Sequence, residues 1–267
     1  MTDSTQKLVK NNNENFPVAS ILIPKKYRES ILYFYRFARH SDDIADSEVF
    51  TSEEKLAQLE AIKRGLMGHG DLPDWAVGYY NLTQEKPELL QHGLDLLGAF
   101  ILDATKNRYA TWSELLNYCN YSAAPVGRYV LAVAGENEAD ITASDAMCHA
   151  LQIINHIQDL GEDYQRLDRI YMPLEYLDEE HLADLAGDSE SAEIRKSIDI
   201  LLDNLDGLLL EASGLFKTIK SRRLRLELWV IYRFACKLAV KLRREDVLRA
   251  KVKLSVWEKL ACLVCNS

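Results

Sequence analysis

Apolar residues recur at helical spacing almost from one end of this 267-residue chain to the other. A stripe of period 3.6 is the pattern of an amphipathic helix with one face toward a core. No alternating apolar–polar block or hairpin dipeptide breaks the pattern, so strands are not expected. No Pro/Gly/Ser linker divides the chain, and no internal repeat of about 20–50 residues is present. The sequence therefore predicts an all-α, single-domain helical bundle over 15–267, preceded by a polar, Asn-rich tail over 1–14. Pro24 should start a helix running through Ile31, Phe34, Ala38 and Ala45. Thr51-Ser52-Glu53-Glu54 is an N-cap with an acidic first turn, opening a helix to about Met67. After a loop over 68–73, a short helix is expected near 75–80 and another over 87–104. Thr111 should cap a helix interrupted at Ala124-Pro125-Val126-Gly127 and continued to Ala134. Thr142 should open the next helix, and 168–173 form a connector. Helices over 190–218, 222–244 and 252–262 complete the pattern. Apolar residues make up 48 % of the chain, enough to line a cavity as well as a core.

Two acidic clusters stand where that pattern predicts burial. The first is Asp42-Asp43-Ile44-Ala45-Asp46; the second is Asn155-His156-Ile157-Gln158-Asp159-Leu160-Gly161-Glu162-Asp163. Tyr35, Arg39, Asp42 and Asp46 are spaced 4, 3 and 4 apart; Gln152, Asn155, Asp159 and Asp163 are spaced 3, 4 and 4. Each set forms one stripe of a helix, whereas Asp43 is turned about 100° away from Asp42. Like charges four apart weaken a helix by a few tenths of a kcal/mol, so a counter-charge is implied. Two facing rows of hard oxygen donors suit Mg²⁺, which takes one or two carboxylates and completes its shell with water and phosphate. Arg39 adds a planar fork for phosphate oxygens. One such cluster alone would read as solvated surface. A di-iron or di-manganese bundle is the other metal reading, but it requires Glu-x-x-His, which this sequence lacks. His40 and His156 lie off the stripes and are expected to pack or to support the ligands.

Composition removes several function classes. With 41 acidic and 32 basic residues the net charge is −9, which disfavours nucleic acid as a partner. No apolar stretch approaches the roughly 20 residues needed to span a bilayer, and the polar N-terminus is not a signal peptide. A cytoplasmic location follows. Five scattered cysteines are expected to be reduced thiols, and Cys262-x-x-Cys265 has no second ligand pair to make a zinc site. No Gly-rich dinucleotide fingerprint occurs, so no nicotinamide cofactor is expected.

At this point the residues resemble a family. Asp42-Asp43-Ile44-Ala45-Asp46, with Tyr35 and Arg39 upstream, resembles the first aspartate-rich motif of the squalene/phytoene synthases. Residues 151–163, followed by Arg169-Ile170-Tyr171-Met172-Pro173, resemble the second motif and its R-x-Y-x-P tail. Tyr118-Cys119 and Ala124-Pro125-Val126-Gly127-Arg128 are similar to the family's mid-chain helix and its small-residue break. The likeness covers 15–177; beyond that only helical periodicity is recognisable. Glu14-Asn15-Phe16-Pro17-Val18-Ala19-Ser20 is most similar to the opening of the HpnC-type hydroxysqualene synthase branch.

The resemblance implies helices packed around a deep apolar cavity with both motifs at its mouth. It places Mg²⁺ (with Mn²⁺ as an alternative occupant) and diphosphate on Asp42, Asp46, Asn155, Asp159 and Asp163. Arg39 and Arg169 would touch phosphate oxygens, and Ser20 would lie near the diphosphate. Tyr35, Tyr118, Gln152 and Tyr171 would line the reacting end, where phenol rings can face a carbocation. The implied reaction removes diphosphate from presqualene diphosphate and quenches the cation to give hydroxysqualene or squalene. The alternatives are 1′-1 condensation of two farnesyl or geranylgeranyl diphosphates, and a non-catalytic helical assembly factor. The implied substrate is an isoprenoid diphosphate, and its lipid character implies transient contact with a membrane surface. Arg169 as a mere fixer of the connector, and Arg128 as partner of an aspartate, are the structural alternatives for those two residues.

Overall fold

The computed structural model describes residues 24–264, with side chains described to residue 262. Ser20, the 1–14 tail and Cys265 lie outside the described residues. Twelve α-helices account for most of the described chain, and the one β feature among the described residues is an isolated parallel bridge between Arg108 and Ile170. The helices are α1 Lys25–Ala45, α2 Ser52–Leu66, α3 Asp74–Glu85, α4 Leu90–Asp103, α5 Trp112–Ser122 and α6 Ala124–Ala134. They continue as α7 Ile141–Gln158, α8 Leu160–Leu167, α9 Ala192–Ala212, α10 Leu215–Thr218, α11 Arg222–Leu242 and α12 Val256–Val264.

α1 sets one wall of the molecule. Its buried face, Ile31, Phe34, Phe37, Ser41 and Ala45, meets α3, α4 and α6. Phe34 stacks on Tyr129 with ring centroids 3.9 Å apart, and Phe37 packs on Tyr79 at 4.8 Å. Both tyrosine hydroxyls are satisfied: Tyr79 donates to the Leu89 carbonyl at 2.6 Å and Tyr129 to that of Ser30 at 2.7 Å. Such buried aromatics need a partner for the hydroxyl; here Tyr129 ties α6 to α1, and Tyr79 ties α3 to the turn that leads into α4. Because the apolar face points outward into this cluster, the Tyr35–Asp46 stripe is left facing the interior. The second and larger core is built by α5, α7, α9 and α11 around Ile153, Ile154, Leu201, Leu202 and Leu238.

Local chemistry explains where helices begin and where the sequence reading needs correction. Thr51 and Glu54 exchange side-chain bonds to each other's backbone N–H at 3.2 and 2.9 Å, the reciprocal box expected for α2. α3 extends to Glu85, beyond the short helix expected. α7 opens at Ile141 because Asp140, not Thr142, accepts the Ala143 N–H at 3.1 Å. The helix expected over 190–218 ends at Ala212. There the Ser213 hydroxyl bonds back to the Leu210 carbonyl at 2.7 Å and competes with the helical ladder. The last helix starts at Val256 instead of residue 252, because Ser255 and Glu258 form a second reciprocal cap. Residues 251–255 are non-helical instead, with Val252 and Leu254 buried. A turn of 3₁₀ helix over Glu179–Ala186 was not anticipated.

The most consequential correction concerns the second cluster. It does not lie on one helix: α7 stops at Gln158, Asp159 takes φ −105° and ψ 7°, and α8 begins at Leu160. The four-residue register nevertheless survives the kink. Asp159 N–H bonds to the Asn155 carbonyl at 2.9 Å, and Asp163 N–H to that of Asp159 at 2.8 Å. α8 can tilt because Gly161 lacks a side chain; a Cβ there would stand 2.9 Å from Leu248 Cδ2. Asp168 then ends α8 in the left-handed region at φ 49°, a conformation Asp tolerates better than most residues. Its carboxylate pairs with Arg108, which anchors the connector that follows.

Candidate active site

The inner stripes of α1 and α7–α8 open onto a common cavity of about 530 Å³. Tyr35, Arg39, Asp42 and Asp46 line it from α1; Gln152, Asn155, Asp159 and Asp163 line it from the other side. Tyr118 from α5, and Arg169 and Tyr171 from the connector, complete the set named from the sequence. Every sequence-predicted site residue within the described range therefore borders one space. Asp43 stands apart, half exposed, and pairs with Arg39 at 2.8 Å. Arg128 does not border this cavity; it binds Asp145, with Nε donating to Oδ1 at 2.9 Å.

The floor of the cavity is a network centred on Asp103, a residue the sequence reading passed over. Asp103 ends α4 and is 6 % exposed. It accepts the Tyr118 hydroxyl at 2.7 Å and the Tyr171 hydroxyl at 2.8 Å, one on each carboxylate oxygen. Arg169, 4 % exposed, donates to Asp46 Oδ1 at 2.8 Å, to the Tyr171 oxygen at 3.2 Å and to the Asp103 carbonyl at 2.9 Å. The connector arginine thus ties both halves of the cavity together. The available signal for Asp103 was its place as the lone charge in the apolar run Phe100-Ile101-Leu102-Asp103-Ala104. His156 also belongs here: it lines the cavity and stacks on Tyr171, centroids 3.6 Å apart and planes 19° from parallel. It does more than support the ligands from behind. His40, by contrast, packs on Trp75 at 5.2 Å. Lys251 reaches in from the non-helical C-terminal segment and its ammonium pairs with the Asp159 carboxylate. No local sequence pattern could have found it.

The electrostatics are those of a site short of positive charge. Burial and the neighbouring Asp46 carboxylate push Asp42 up to about 8, although a third of its side chain is exposed; Arg39 opposes the shift. Burial and Asp159 push Asp163 up to about 7. Burial raises Asp103 to about 6, held down from higher by Arg169 and the two phenols. Burial lowers His156 to about 3, assisted by Arg169, so its imidazole is neutral. Burial also raises Tyr118 and Tyr171 well above the ordinary phenol value, chiefly with Asp103 as the adjoining charge. Several buried polar atoms lack a hydrogen-bond partner among the described residues, and His156 Nε2, Arg169 Nε and Ser122 Oγ among them belong to residues lining this cavity. Native interiors rarely leave such atoms orphaned, and a bound polar group would satisfy them.

Behind the polar cavity lies an apolar one of about 290 Å³, sharing Tyr35, Ala38 and Val126 as common wall. Met147, Leu151, Leu224, Leu228 and Ile231 surround it. Gly127 lets α6 pack directly on α7 at its wall: a Cβ there would lie 2.6 Å from Cys148 Sγ and 2.9 Å from Ser144 Oγ. A polar, acid-lined mouth joined to an apolar pocket accommodates a molecule with an anionic head and a hydrocarbon tail.

This all-helical architecture and two-part cavity define an isoprenoid-synthase type of protein. Residues 9–258 match the squalene/phytoene synthase family model, and the chain belongs to that family. It is similar to the hydroxysqualene synthase of Sinorhizobium fredii, 40 % identical over 249 residues that span 92 % of this chain and 85 % of that one. The hydroxysqualene synthase of Rhodopseudomonas palustris is 41 % identical over 254 residues, with the same shares covered. Among solved structures, the squalene synthase HpnC from Alicyclobacillus acidocaldarius superimposes with a TM-score of 0.73 at 31 % identity, covering 90 % of this chain and 92 % of that one.

Proposed function

We propose that this chain is a Mg²⁺-dependent enzyme that ionises presqualene diphosphate and captures the rearranged cation with water, yielding hydroxysqualene. The observation that carries the reading is the shared cavity: both aspartate stripes border one space, and an apolar pocket adjoins it across Tyr35, Ala38 and Val126. The relatives named hydroxysqualene synthase support this substrate and product.

The donors suit Mg²⁺ held jointly with a diphosphate. They are carboxylate and amide oxygens throughout, and Asp42 and Asp163 are pushed upward by burial and by the neighbouring carboxylates of Asp46 and Asp159. No three acidic, histidine or cysteine side chains form a ready-made metal cage among the described residues. An ion that draws its remaining ligands from water and phosphate needs only one or two carboxylates from each stripe. Asp42, Asp46, Asn155, Asp159 and Asp163 would hold it. Bound there, Mg²⁺ neutralises charge developing on the departing diphosphate.

The chain's own cations complement it. Arg39, Arg169 and Lys251 stand at the aspartates and can turn to phosphate oxygens once those carboxylates are engaged. At the reacting end, Tyr118 and Tyr171 stay neutral, their protons directed at Asp103, and offer ring faces to a carbocation. Neutral His156, flat on Tyr171, adds aromatic surface without adding opposing charge. The apolar pocket excludes bulk water, so only a water held by the phenol oxygens would reach the cation. Its oxygen forms the new C–O bond, and the released proton passes toward Asp103. Cytoplasmic residence belongs to the same reading; among the described residues no helix is long and apolar enough to cross a membrane.

The test is to incubate the purified protein with presqualene diphosphate or farnesyl diphosphate, with Mg²⁺ or with EDTA, and to analyse the extracted lipids. Conversion of presqualene diphosphate to hydroxysqualene only with the metal supports the reading. Turnover of farnesyl diphosphate alone would assign 1′-1 condensation instead. Loss of Mg²⁺-dependent inorganic pyrophosphate binding in Asp42→Ala and Asp159→Ala separates an enzyme from a helical assembly factor.

A further inference from the structure

The charge of this chain is unevenly distributed. Residues 217–259 carry fourteen Lys and Arg against four Asp and Glu, a net +10, whereas the whole chain carries −9. No contiguous basic run produces this, since the residues are dispersed and only helix geometry collects them. Along α11, Arg222, Leu226, Trp229, Arg233, Lys237 and Val240 follow one another at spacings of 4, 3, 4, 4 and 3, and Arg244 continues the row just past the helix. They form one stripe of four basic and three apolar residues, with no acidic member. Arg222, Lys237 and Arg244 are exposed and have no acidic partner within ion-pair distance among the described residues. The Arg233 guanidinium lies 5.1 Å over the Trp229 ring.

α12 lies against this helix, with Cys262 Sγ 3.9 Å from the Arg233 carbonyl and Lys241 paired to Glu258 at 3.2 Å. It exposes Val256 at 71 %, Trp257 at 80 % and Leu260 at 47 %. Fully exposed tryptophan is costly in water but is at home at a lipid headgroup boundary. The opposite face of α11 supplies Leu224, Leu228 and Ile231 to the apolar cavity. One helix therefore separates a hydrocarbon pocket from a basic, tryptophan-bearing surface.

We propose that the α11–α12 face docks this protein on an anionic lipid bilayer. The occupant is fixed by charge complementarity: in a net-negative chain the α11 stripe carries Arg222, Arg233, Lys237 and Arg244 without an acidic member, and α12 flanks it with exposed Trp, Val and Leu. Basic residues supply attraction to acidic headgroups while the apolar side chains enter the headgroup boundary. The docking is peripheral and salt-sensitive. It places the helix that walls the cavity against the phase in which a hydrocarbon product dissolves.

The experiment is flotation of the full-length protein with vesicles of phosphatidylcholine alone and of phosphatidylcholine mixed with phosphatidylglycerol. The wild type should float with the anionic vesicles, remain behind with neutral ones and dissociate in high salt. Each basic residue removed should weaken binding roughly fivefold, so Arg222→Gln/Lys237→Gln/Arg244→Gln should bind about a hundredfold more weakly. Trp257→Ala should weaken binding without changing its salt dependence. Circular dichroism and Mg²⁺-dependent pyrophosphate binding should match wild type in both variants, showing that fold and cavity are intact. Absence of flotation with anionic vesicles, wild-type flotation by the triple variant, or capture of RNA in place of vesicles would overturn the proposal. Because the readout is binding to lipid, it stands or falls separately from the catalytic reading.

Discussion

Arg169 Nη1 lies 2.8 Å from Asp46 Oδ1, although 123 residues separate the two in sequence. This contact joins the connector after α8 to the end of α1, and the same guanidinium reaches the Tyr171 hydroxyl and the Asp103 carbonyl. Arg169→Met should destabilise the fold by about 2–3 kcal/mol. That is below the usual loss for a fully buried pair, because Asp46 is 42 % exposed and can rehydrate. Arg169→Lys should recover charge but not the fork, giving an intermediate loss. Urea unfolding of the three proteins measures this.

Asp42 should be a residue that the reaction needs and the empty fold tolerates poorly. Its carboxyl is raised to about 8 by burial and by Asp46. The folded chain thus retains a proton there that the unfolded chain has lost above its ordinary value of 3.8. Stability attributable to this group therefore falls as pH rises from about 4 to 8. Asp42→Asn should remove this decline in stability between pH 4 and 8 without metal and lower kcat by about a hundredfold or more. Thermal melts and single-turnover rates test the two halves separately.

Ala38 stands where the two cavities meet. Ala38→Phe should obstruct the passage and raise KM for a long-tailed diphosphate by about tenfold or more. Binding of inorganic pyrophosphate should be unchanged, since the polar mouth is untouched. Calorimetry with pyrophosphate, set against steady-state kinetics, makes the comparison.

His156 is buried in its neutral form, with its value lowered from 6.5 to about 3. Between those values the unfolded chain binds a proton that the folded chain does not, so this group's contribution is fully present above pH 6.5 and declines on acidification. His156→Phe, which keeps the ring on Tyr171, should remove part of the acid lability between pH 6 and about 4. Paired denaturation curves across that range would show the wild-type and variant stabilities converging or crossing as pH falls.

Much of the site was legible because helical spacing converts sequence into faces. Tyr35, Arg39, Asp42 and Asp46 needed no tertiary information to be placed on one side of α1, and the four-residue register of Asn155, Asp159 and Asp163 survives even the kink at Asp159. Asp103 was obscured because one aspartate at the end of an apolar helix has no periodic partner; only the fold brings Tyr118 and Tyr171 to it. Lys251 was beyond reach for a related reason. Its place depends on a non-helical segment pinned by Gln158 and Lys241 to the carbonyls of Val252 and Lys253, where periodicity suggested a helix. The boundary errors at Asp140, Ala212 and Ser255 are all capping decisions, in which one side-chain oxygen outweighs the apolar pattern nearby.

The most direct measurement is turnover of presqualene diphosphate with Mg²⁺ in ¹⁸O-enriched water, followed by mass analysis of the product. The account predicts an alcohol carrying one solvent-derived oxygen, with no conversion in Asp159→Asn. An alcohol without the label, or undiminished conversion in that variant, would contradict the claim that the facing aspartates release the diphosphate and a held water meets the cation.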